Sequence, residues 1–356
     1  MKRLNKIREI MKENFLDAFL INSPYNKFYL ANLYSNSGYL LITRNNQYAL
    51  VDSRYYVQVK ENAKEFNVIE ISKERTIFDF LNEVIKKESI KKIGIEGDNL
   101  TYDNYMKLAE NVKVVFLSIS LDSLRAIKTS EEIEKIRTAA QIADKAYKHI
   151  LSFVKEGMTE KQVERELVRY IKECNGDKES FDIIVASGER GALPHGKASE
   201  KIIKRGEFVT IDFGVNYNNY CSDMTRTFLL GEAYNKEMIK IYEIVKKAQW
   251  EAVKSVKEGI TASYLDSIAR NIIEKEGYGK NFGHNLGHGV GILVHEYPII
   301  GKGNDIFLEA GMIITIEPGI YIEGLGGVRI EDDVLVTEEG FEVLTNSDRE
   351  LISVKG

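Results

Sequence analysis

The sequence predicts an α/β (α+β) protein of two domains, the second of which consists of two similar halves. Its 356 residues exceed the size at which a single hydrophobic core usually keeps growing. Short apolar runs alternate with amphipathic stretches over about the first 120 residues, which is typical of a mixed sheet covered by helices. A six-residue motif, Val154–Thr159, recurs as Val256–Thr261. We therefore place a mixed α/β domain at residues 1–121 and a duplicated domain at residues 122–356.

The composition excludes several classes of protein. A net charge of -5 argues against a nucleic-acid surface, which normally carries a basic excess. No run of eighteen apolar residues is present, so we expect no membrane partner. The charged N-terminus lacks the apolar centre of a signal peptide, and two cysteines form no disulfide framework. We expect a cytoplasmic protein with free thiols.

The first domain has predicted secondary structure but no group of candidate catalytic residues. Its helix candidates are residues 4–13 and Ile77–Ile85, where apolar residues recur at helical spacing. Its charged and aromatic residues are scattered, and packing explains them. The predicted strands are Ala18–Ile21, Tyr39–Thr43, Tyr48–Val51, Val68–Ile71 and Ile93–Ile95.

Helix signals organise the second domain. Thr129 and Glu132 form a capping-box pattern, which predicts a long helix from there to about Val154. In each copy of the repeat we expect a helix to end at the glycine and the threonine to cap the next helix. Two similar halves facing each other would form a cleft, which is a usual place for a site.

A glycine-rich stretch, residues 281–298, carries three of the five histidines: His284, His288 and His295. Glycines at 287, 289 and 291 leave the backbone around His288 almost bare, which destabilises the fold through entropy. Such a stretch makes sense where the backbone approaches a metal or a substrate closely. The alternative is a loop whose histidines only pack or face water.

Two pairs of acidic residues are placed to converge. Asp212 and Asp223 are equally distant from the centre of a turn at 216–219, so a regular hairpin would put them opposite each other, about 4.5–5.5 Å apart at Cβ. A bulge would shift that register and turn one of them to water. Glu317 and Glu331 are symmetric about Gly324 in the same way. Carboxylates this close repel unless a cation or a shared proton relieves them.

Four carboxylates and one imidazole suffice for two divalent ions. Two metals about 3.5–4 Å apart can hold a hydroxide between them and polarise a carbonyl at the same time. Because the ligands are oxygen-rich, with one nitrogen and no sulfur, they favour Mn²⁺, with Co²⁺ or Zn²⁺ as alternatives. Asp332 and Asp333, next to Glu331, are expected behind the ligands or at the surface.

These motifs together resemble the pita-bread metallopeptidases, and within them the Xaa-Pro peptidases (aminopeptidase P and prolidase). The resemblance rests on the two spaced histidines, the Asp–Asp hairpin, residues 317–321 and residues 327–332. It covers the whole second domain, and the first domain resembles the N-terminal domain of creatinase and prolidase. It implies five metal ligands, with Asp223 and Glu331 bridging: Asp212, Asp223, His288, Glu317 and Glu331.

The resemblance also implies residues on the substrate side. His284 matches a residue there, His195 and His295 line the pocket, and Arg329 orients the groups behind the ligands or the substrate. Cleaving an amide before proline releases a secondary amine, and His195 or His295 could protonate it because imidazole titrates near neutral pH. Glu317 could accept the proton of the attacking water.

The leading hypothesis is therefore a dinuclear metallo-exopeptidase that hydrolyses the Xaa-Pro bond at the N-terminus of peptides or in dipeptides. The ligands do not separate an Xaa-Pro aminopeptidase from an Xaa-Pro dipeptidase. A peptide-binding module on the same fold, without turnover, is the alternative, and the intact ligand set argues against it. We expect a homodimer, since self-association often shapes such clefts.

Overall fold

The computed structural model describes residues 2–232 and 235–355, which fall into two compact units. One unit extends to Arg125 and the other starts at Ala126. The boundary expected after residue 121 lies just before a 3₁₀ helix, Asp122–Arg125, that is grouped with the first unit. Met1 and Gly356, the outer limits of the two expected domains, lie outside the described residues.

Helices occur in both units, and none within residues 2–232 and 235–355 has the length and apolar content needed to cross a bilayer. Their bounds are α1 (Lys2–Glu13), α2 (Pro24–Ala31), α3 (Ser53–Asn62), α4 (Ile77–Glu88), α5 (Tyr102–Asn111), α6 (Ser130–Phe153), α7 (Glu160–Glu173), α8 (Lys236–Lys254) and α9 (Ala262–Lys275).

Strands alternate with helices in the first unit, as the sequence predicts, and follow one another in runs in the second unit. In the first unit they are β1 (Ala18–Ile21), β2 (Tyr39–Thr43), β3 (Gln47–Val51), β4 (Asn67–Glu70), β5 (Lys92–Ile95) and β6 (Val115–Ser118). In the second unit they are β7 (Lys178–Glu179), β8 (Ile184–Ser187), β9 (Phe208–Phe213), β10 (Val215–Tyr217), β11 (Tyr220–Cys221), β12 (Met224–Leu230), β13 (Gly287–Gly289), β14 (Glu296–Ile300), β15 (Ile313–Ile316), β16 (Gly319–Ile322), β17 (Gly326–Arg329), β18 (Asp332–Val336), β19 (Phe341–Val343) and β20 (Ser353–Val354).

The first unit is built on one mixed sheet with the strand order β4-β3-β2-β1-β5-β6. Its central strands pair antiparallel (β1 with β2, β2 with β3), and β5, β6 and β4 add on in parallel. The five predicted strands are present, displaced by at most one residue, and the predicted class is confirmed. The short helix α2 was not predicted, because its signals are a Ser23 N-cap and Pro24 rather than apolar periodicity.

The second unit repeats one arrangement twice. In the first half, α6 and α7 pack on the sheet β20-β12-β9-β8; in the second, α8 and α9 pack beside β14-β13-β15-β18-β19. Thr159 and Thr261 cap α7 and α9, as predicted from the repeat. The expectation that the preceding helices end at the glycine is wrong. They end at Phe153 and Lys254, and the glycines serve the turns that follow.

Candidate metal centre

Asp212 and Asp223 come together, but not as direct partners across a hairpin. The two-residue turn is Asn218–Asn219, both at positive φ, so Asp212 pairs with Thr225 instead. Asp223 lies in the break between β11 and β12. The predicted pairing is therefore wrong by two residues, although both carboxylates stay on one face, because residues two apart on a strand point the same way.

Gly214, opposite that break, explains how the two chain segments come so close. A Cβ atom built on Gly214 would lie 1.8 Å from the carbonyl oxygen of Ser222, the residue before Asp223. Only glycine fits such an approach of backbone to backbone. The break is thus a specific feature of the sequence, and it takes Asp223 out of the regular ladder of backbone hydrogen bonds.

Glu317 and Glu331 occupy matching breaks in the second half. Strand pairing places Ile316 opposite Asp332 and Gly319 opposite Arg329, so the symmetry about Gly324 is confirmed. Residues 330–331 separate two strands, β17 and β18. Glu331 is buried, and its Oε2 accepts a hydrogen bond from the Thr225 hydroxyl at 2.6 Å.

His288, on β13, directs its Nε2 atom at the acids. That atom lies 3.3 Å from Glu317 Oε1 and 3.7 Å from Asp223 Oδ2. Its backbone N–H donates to Thr315 Oγ1. The neighbouring glycines do bring backbone close to something, but it is protein: a Cβ on Gly287 would lie 2.0 Å from the Thr315 carbonyl oxygen. These glycines therefore let neighbouring segments of the protein pack closely against β13, and their approach to a metal or substrate stays a prediction.

One atom from each of Asp223, His288 and Glu331 lies within 4.8 Å of the others, a spacing that one cation could bridge. Glu317 contacts this group through His288. Among the described residues, four buried carboxylate oxygens near it have no hydrogen-bond donor. A buried charge of this kind is costly unless it is paired or binds a metal. The four oxygens are Asp212 Oδ1, Asp223 Oδ1, Glu331 Oε1 and Asp333 Oδ1.

The acids repel one another when no cation is bound. The pKa of Asp223 is raised well above its ordinary value, first by burial and then by the charges of Glu331 and Asp212. Burial, then the charge of Glu317, does the same to the pKa of Glu331. Burial also opposes ionisation of Glu317, but the hydrogen bond and charge of His288 outweigh it and lower its pKa. A divalent ion with oxygen ligands and one imidazole fits these residues.

Arg329 is buried behind this cluster and connects it by hydrogen bonds to Tyr321 and Pro194. Its Nη2 donates to Asp212 Oδ2 at 2.6 Å and its Nε to Thr225 Oγ1 at 3.1 Å. Its Nη1 donates to the Tyr321 hydroxyl at 2.8 Å and to the Pro194 carbonyl oxygen at 3.3 Å. Arg329 therefore holds Asp212 in place and reaches the segment that carries His195.

The other three predicted histidines lie around the acids at different depths. His284 contacts the Tyr321 hydroxyl through Nε2 at 3.0 Å. The His295 ring lies 4.2 Å from that of His288, and burial followed by the charge of His288 lowers the pKa of His295. His195 is exposed, yet close enough to His295 for its charge to lower that pKa further.

Asp332 and Asp333 are fully buried, so a surface position for either is wrong. Asp333 Oδ2 accepts from the backbone N–H of Asp223 at 2.9 Å. Asp332 bonds to Arg226 at 2.7 Å and Arg349 at 2.5 Å, as well as to buried amide and hydroxyl groups. The other alternative, a position behind the ligands, is the one that the structure shows for Asp333.

Sequence reasoning also missed three residues that shape the site: Thr225, Tyr321 and Arg226. Thr225 could have been found, because it lies two positions after Asp223 on the same face of a strand. Arg226 is completely buried and donates to the backbone carbonyl oxygens of Thr225 and Glu331. No pattern along the chain indicates that an arginine inside a strand reaches across to the other half.

Known proteins provide a comparison over the whole chain. Residues 134–338 match metallopeptidase family M24, and residues 3–127 match the creatinase/prolidase N-terminal domain. The Xaa-Pro dipeptidase of Pyrococcus furiosus is 43% identical over 356 residues, with 99% of each chain covered. A solved Xaa-Pro dipeptidase from Bacillus anthracis has a TM-score of 0.96 at 42% identity, with 99% of both chains covered.

A further solved structure, an X-Pro aminopeptidase from Thermotoga maritima, has a TM-score of 0.87 at 38% identity. The match covers 95% of this chain and 98% of that one. The likeness thus extends to relatives named for either type of Xaa-Pro peptidase. This chain is a metallopeptidase and belongs to family M24, with the pita-bread fold in its second domain and a creatinase/prolidase N-terminal domain preceding it in sequence.

Proposed function

We propose that this protein is a dinuclear exopeptidase that hydrolyses the Xaa-Pro bond at the N-terminus of peptides, as an Xaa-Pro aminopeptidase or an Xaa-Pro dipeptidase. The observation that carries the proposal is the buried group of Asp223, His288 and Glu331, with ligand atoms within 4.8 Å of one another and unsatisfied oxygens around them. The names of the relatives supply the Xaa-Pro class of substrate.

Five residues would hold the ions, and their chemistry favours Mn²⁺ over Co²⁺ or Zn²⁺ because oxygen donors predominate. Two bound divalent ions would supply a hydroxide nucleophile at neutral pH and polarise the scissile carbonyl. Asp223 and Glu331 are the two carboxylates that the family resemblance assigns as shared ligands. The proposed ligands are Asp212, Asp223, His288, Glu317 and Glu331.

The chain's own groups would manage the protons and the substrate. Glu317, whose pKa His288 holds below its ordinary value against the effect of burial, is ionised and can accept a proton from the attacking water. The pKa of His295 is lowered by burial and by His288, so this imidazole gives up a proton easily to the departing proline nitrogen. His195, at the exposed side of His295, is placed to relay that proton or to contact the peptide.

Hydrogen bonds connect a second group of residues near the acids, which consists of His284, Tyr321 and Arg329. Burial raises the pKa of Tyr321 to about 12, so its hydroxyl stays protonated and can donate to His284 while accepting from Arg329. This arrangement fixes the orientation of the His284 ring. The Arg329 guanidinium remains paired with the Asp212 carboxylate. Orientation of this kind holds a peptide carbonyl in place for attack.

Location and assembly are part of the proposal. Cys174 and Cys221 are both free, which agrees with a reducing, cytoplasmic environment. We expect a homodimer, which sedimentation of the full chain would test.

The deciding experiment combines metal analysis with turnover. Protein stripped with a chelator and reloaded with Mn²⁺ should contain about two ions per chain and should hydrolyse Xaa-Pro substrates only when loaded. A proline dipeptide and a proline tripeptide, tested side by side, separate dipeptidase from aminopeptidase. The proposal fails if loaded protein binds such peptides without cleaving them, or if it takes up no metal.

A further inference from the structure

Two segments of the second unit carry histidines on the substrate side. We define the His195 segment as residues 187–199 and the His284 segment as residues 282–286. Each contacts the helix that follows one copy of the internal repeat, α7 for the first and α9 for the second. In both places the contact is a buried carboxylate combined with an arginine.

Glu160, the first residue of α7, joins both ends of the His195 segment. Its side chain is fully buried. Its Oε1 accepts from the Ser187 backbone N–H at 2.8 Å and hydroxyl at 2.9 Å. Its Oε2 accepts from the Ser199 backbone N–H at 3.1 Å and hydroxyl at 2.7 Å. One carboxylate therefore closes the segment by bonding to its first and last residues.

Arg190 extends this closure into the segment. Its Nη1 donates to Glu160 Oε2, and its Nη2 donates to the Lys197 carbonyl oxygen at 2.8 Å. His195 itself is exposed and stands at the tip, and the neighbouring Pro194 is held through its carbonyl oxygen by Arg329. The orientation of His195 thus depends on bonds made at the base of the segment rather than on packing around its ring.

Asp266 and Arg270 hold the His284 segment in the same manner. Asp266 is buried, accepts from the Leu286 backbone N–H at 3.1 Å, and binds Arg270 through two hydrogen bonds of 2.7 and 2.8 Å. Arg270 donates onward to the carbonyl oxygens of Phe282 at 3.0 Å and His284 at 2.8 Å. A bidentate arginine–carboxylate pair gives geometric specificity as well as binding energy.

We propose that Glu160 with Arg190, and Asp266 with Arg270, are positioning residues that set His195 and His284 over the metal centre. None of the four contacts the acid cluster in the geometry described above, so each acts through its histidine. The inference rests on the proposed function, since it assigns these histidines to turnover. Its consequence is that each half of the duplicated domain orients one substrate-side histidine through a carboxylate–arginine pair of its own, in addition to the bonds of Arg329, which also holds Asp212.

Isosteric variants of the two carboxylates provide the test. Glu160→Gln keeps the size of the side chain but turns an acceptor oxygen into a donor nitrogen that faces serine and arginine donors. Asp266→Asn does the same at the second segment. Each should lower kcat about 10- to 100-fold, because a small misplacement of a reacting group costs about that much. Mn²⁺ uptake should be unchanged, and amide hydrogen exchange should become faster only in the affected segment.

Crossed double-mutant cycles decide whether each carboxylate acts through its own histidine. In a His195→Ala background, Glu160→Gln should change kcat by no more than about twofold. In a His284→Ala background, it should lower kcat by the same factor as in the unaltered protein. Asp266→Asn should show the opposite pattern. Glu173→Gln, which removes an exposed carboxylate from the same helix as Glu160, should leave kcat, KM and exchange unchanged.

Effects that add fully in the cognate pairs would overturn the inference, as would loss of Mn²⁺ from Glu160→Gln or Asp266→Asn. If Glu160→Gln does not fold, Ser199→Ala removes one bond to Glu160, together with the bond from the Lys201 N–H, and should show the same coupling with His195→Ala at smaller size. Inactivity of the unaltered, Mn²⁺-loaded protein on Xaa-Pro substrates would instead reject the proposed function, leaving hydrogen exchange to report on the segments.

Discussion

Removing the metal should make the free energy of unfolding fall more steeply as the pH rises, and the shifted pKa of Asp333 gives the magnitude. Burial raises the pKa of this carboxyl from 3.8 to about 8, against the opposing effects of the Asp223 N–H and His288. Between those values the folded protein keeps a proton that the unfolded chain releases. Protonation of Asp333 therefore stabilises the metal-free protein fully below pH 3.8, and this stabilisation is lost as the pH rises through about 8.

The expected size is large enough to measure. A shift of this extent corresponds to about 6 kcal/mol over its full range, of which about 3–4 kcal/mol falls between pH 5 and pH 8. Asp223 and Glu331 shift in the same direction and add to it. Bound Mn²⁺ needs ionised ligands, so its stabilisation, about 2.7 kcal/mol at a hundred times Kd, grows with pH instead.

Urea unfolding of chelator-treated and Mn²⁺-loaded protein, at intervals from pH 5 to pH 8, is the assay. The free energy of unfolding should fall with pH in the metal-free protein and fall less, or rise, in the loaded protein. Asp333→Asn, which keeps an acceptor for the Asp223 N–H, should flatten the metal-free curve. Metal-free stability that increases over this range, or an Asp333→Asn curve as steep as the parent's, would refute the reasoning.

Two further predictions concern the histidines and the buried ion pairs. His288→Ala should reduce Mn²⁺ occupancy, measured by elemental analysis, whereas His295→Ala should keep the metal and lose about 10²–10⁴-fold in kcat; equal metal loss in both would show that the roles are misassigned. Asp332→Asn leaves Arg226 and Arg349 without their carboxylate and should lower the free energy of unfolding, measured in urea, by about 3–5 kcal/mol. The control Asp305→Asn, at the surface, should change it little. Similar losses in both variants would contradict this prediction.

The elements of the fold were predictable where a local signal decides the structure. The Thr129 capping box and the threonines of the repeat define helix starts through bonds within four residues, and these were found. The register at Asp212 was not, because the stretch Asn-Tyr-Asn-Asn offers more than one two-residue turn. Only the paired strands select positive φ at Asn218 and Asn219.

The site was predictable in composition and less so in its surroundings. His288, Asp223 and Glu331 stand out as unusual residues in apolar strands and a glycine-rich stretch, and the structure brings them together. Glu331, which accepts from Arg226, and Asp212, which accepts from Arg329, lie more than a hundred residues from those arginines along the chain. Such contacts arise only when the two halves fold against each other, and no short pattern contains them.

The unsatisfied oxygens of the acid cluster have a consequence for how such chains diverge. Since each of Asp223 and Glu331 is disfavoured in the metal-free fold, replacing either by a neutral residue of similar size should make the protein easier to fold. Random substitution would therefore remove these acids quickly from any copy that no longer needed the metal, and relatives that have lost a ligand should fold at least as well as this chain. Retaining both acids therefore costs stability in the metal-free protein, and bound metal ions would offset that cost.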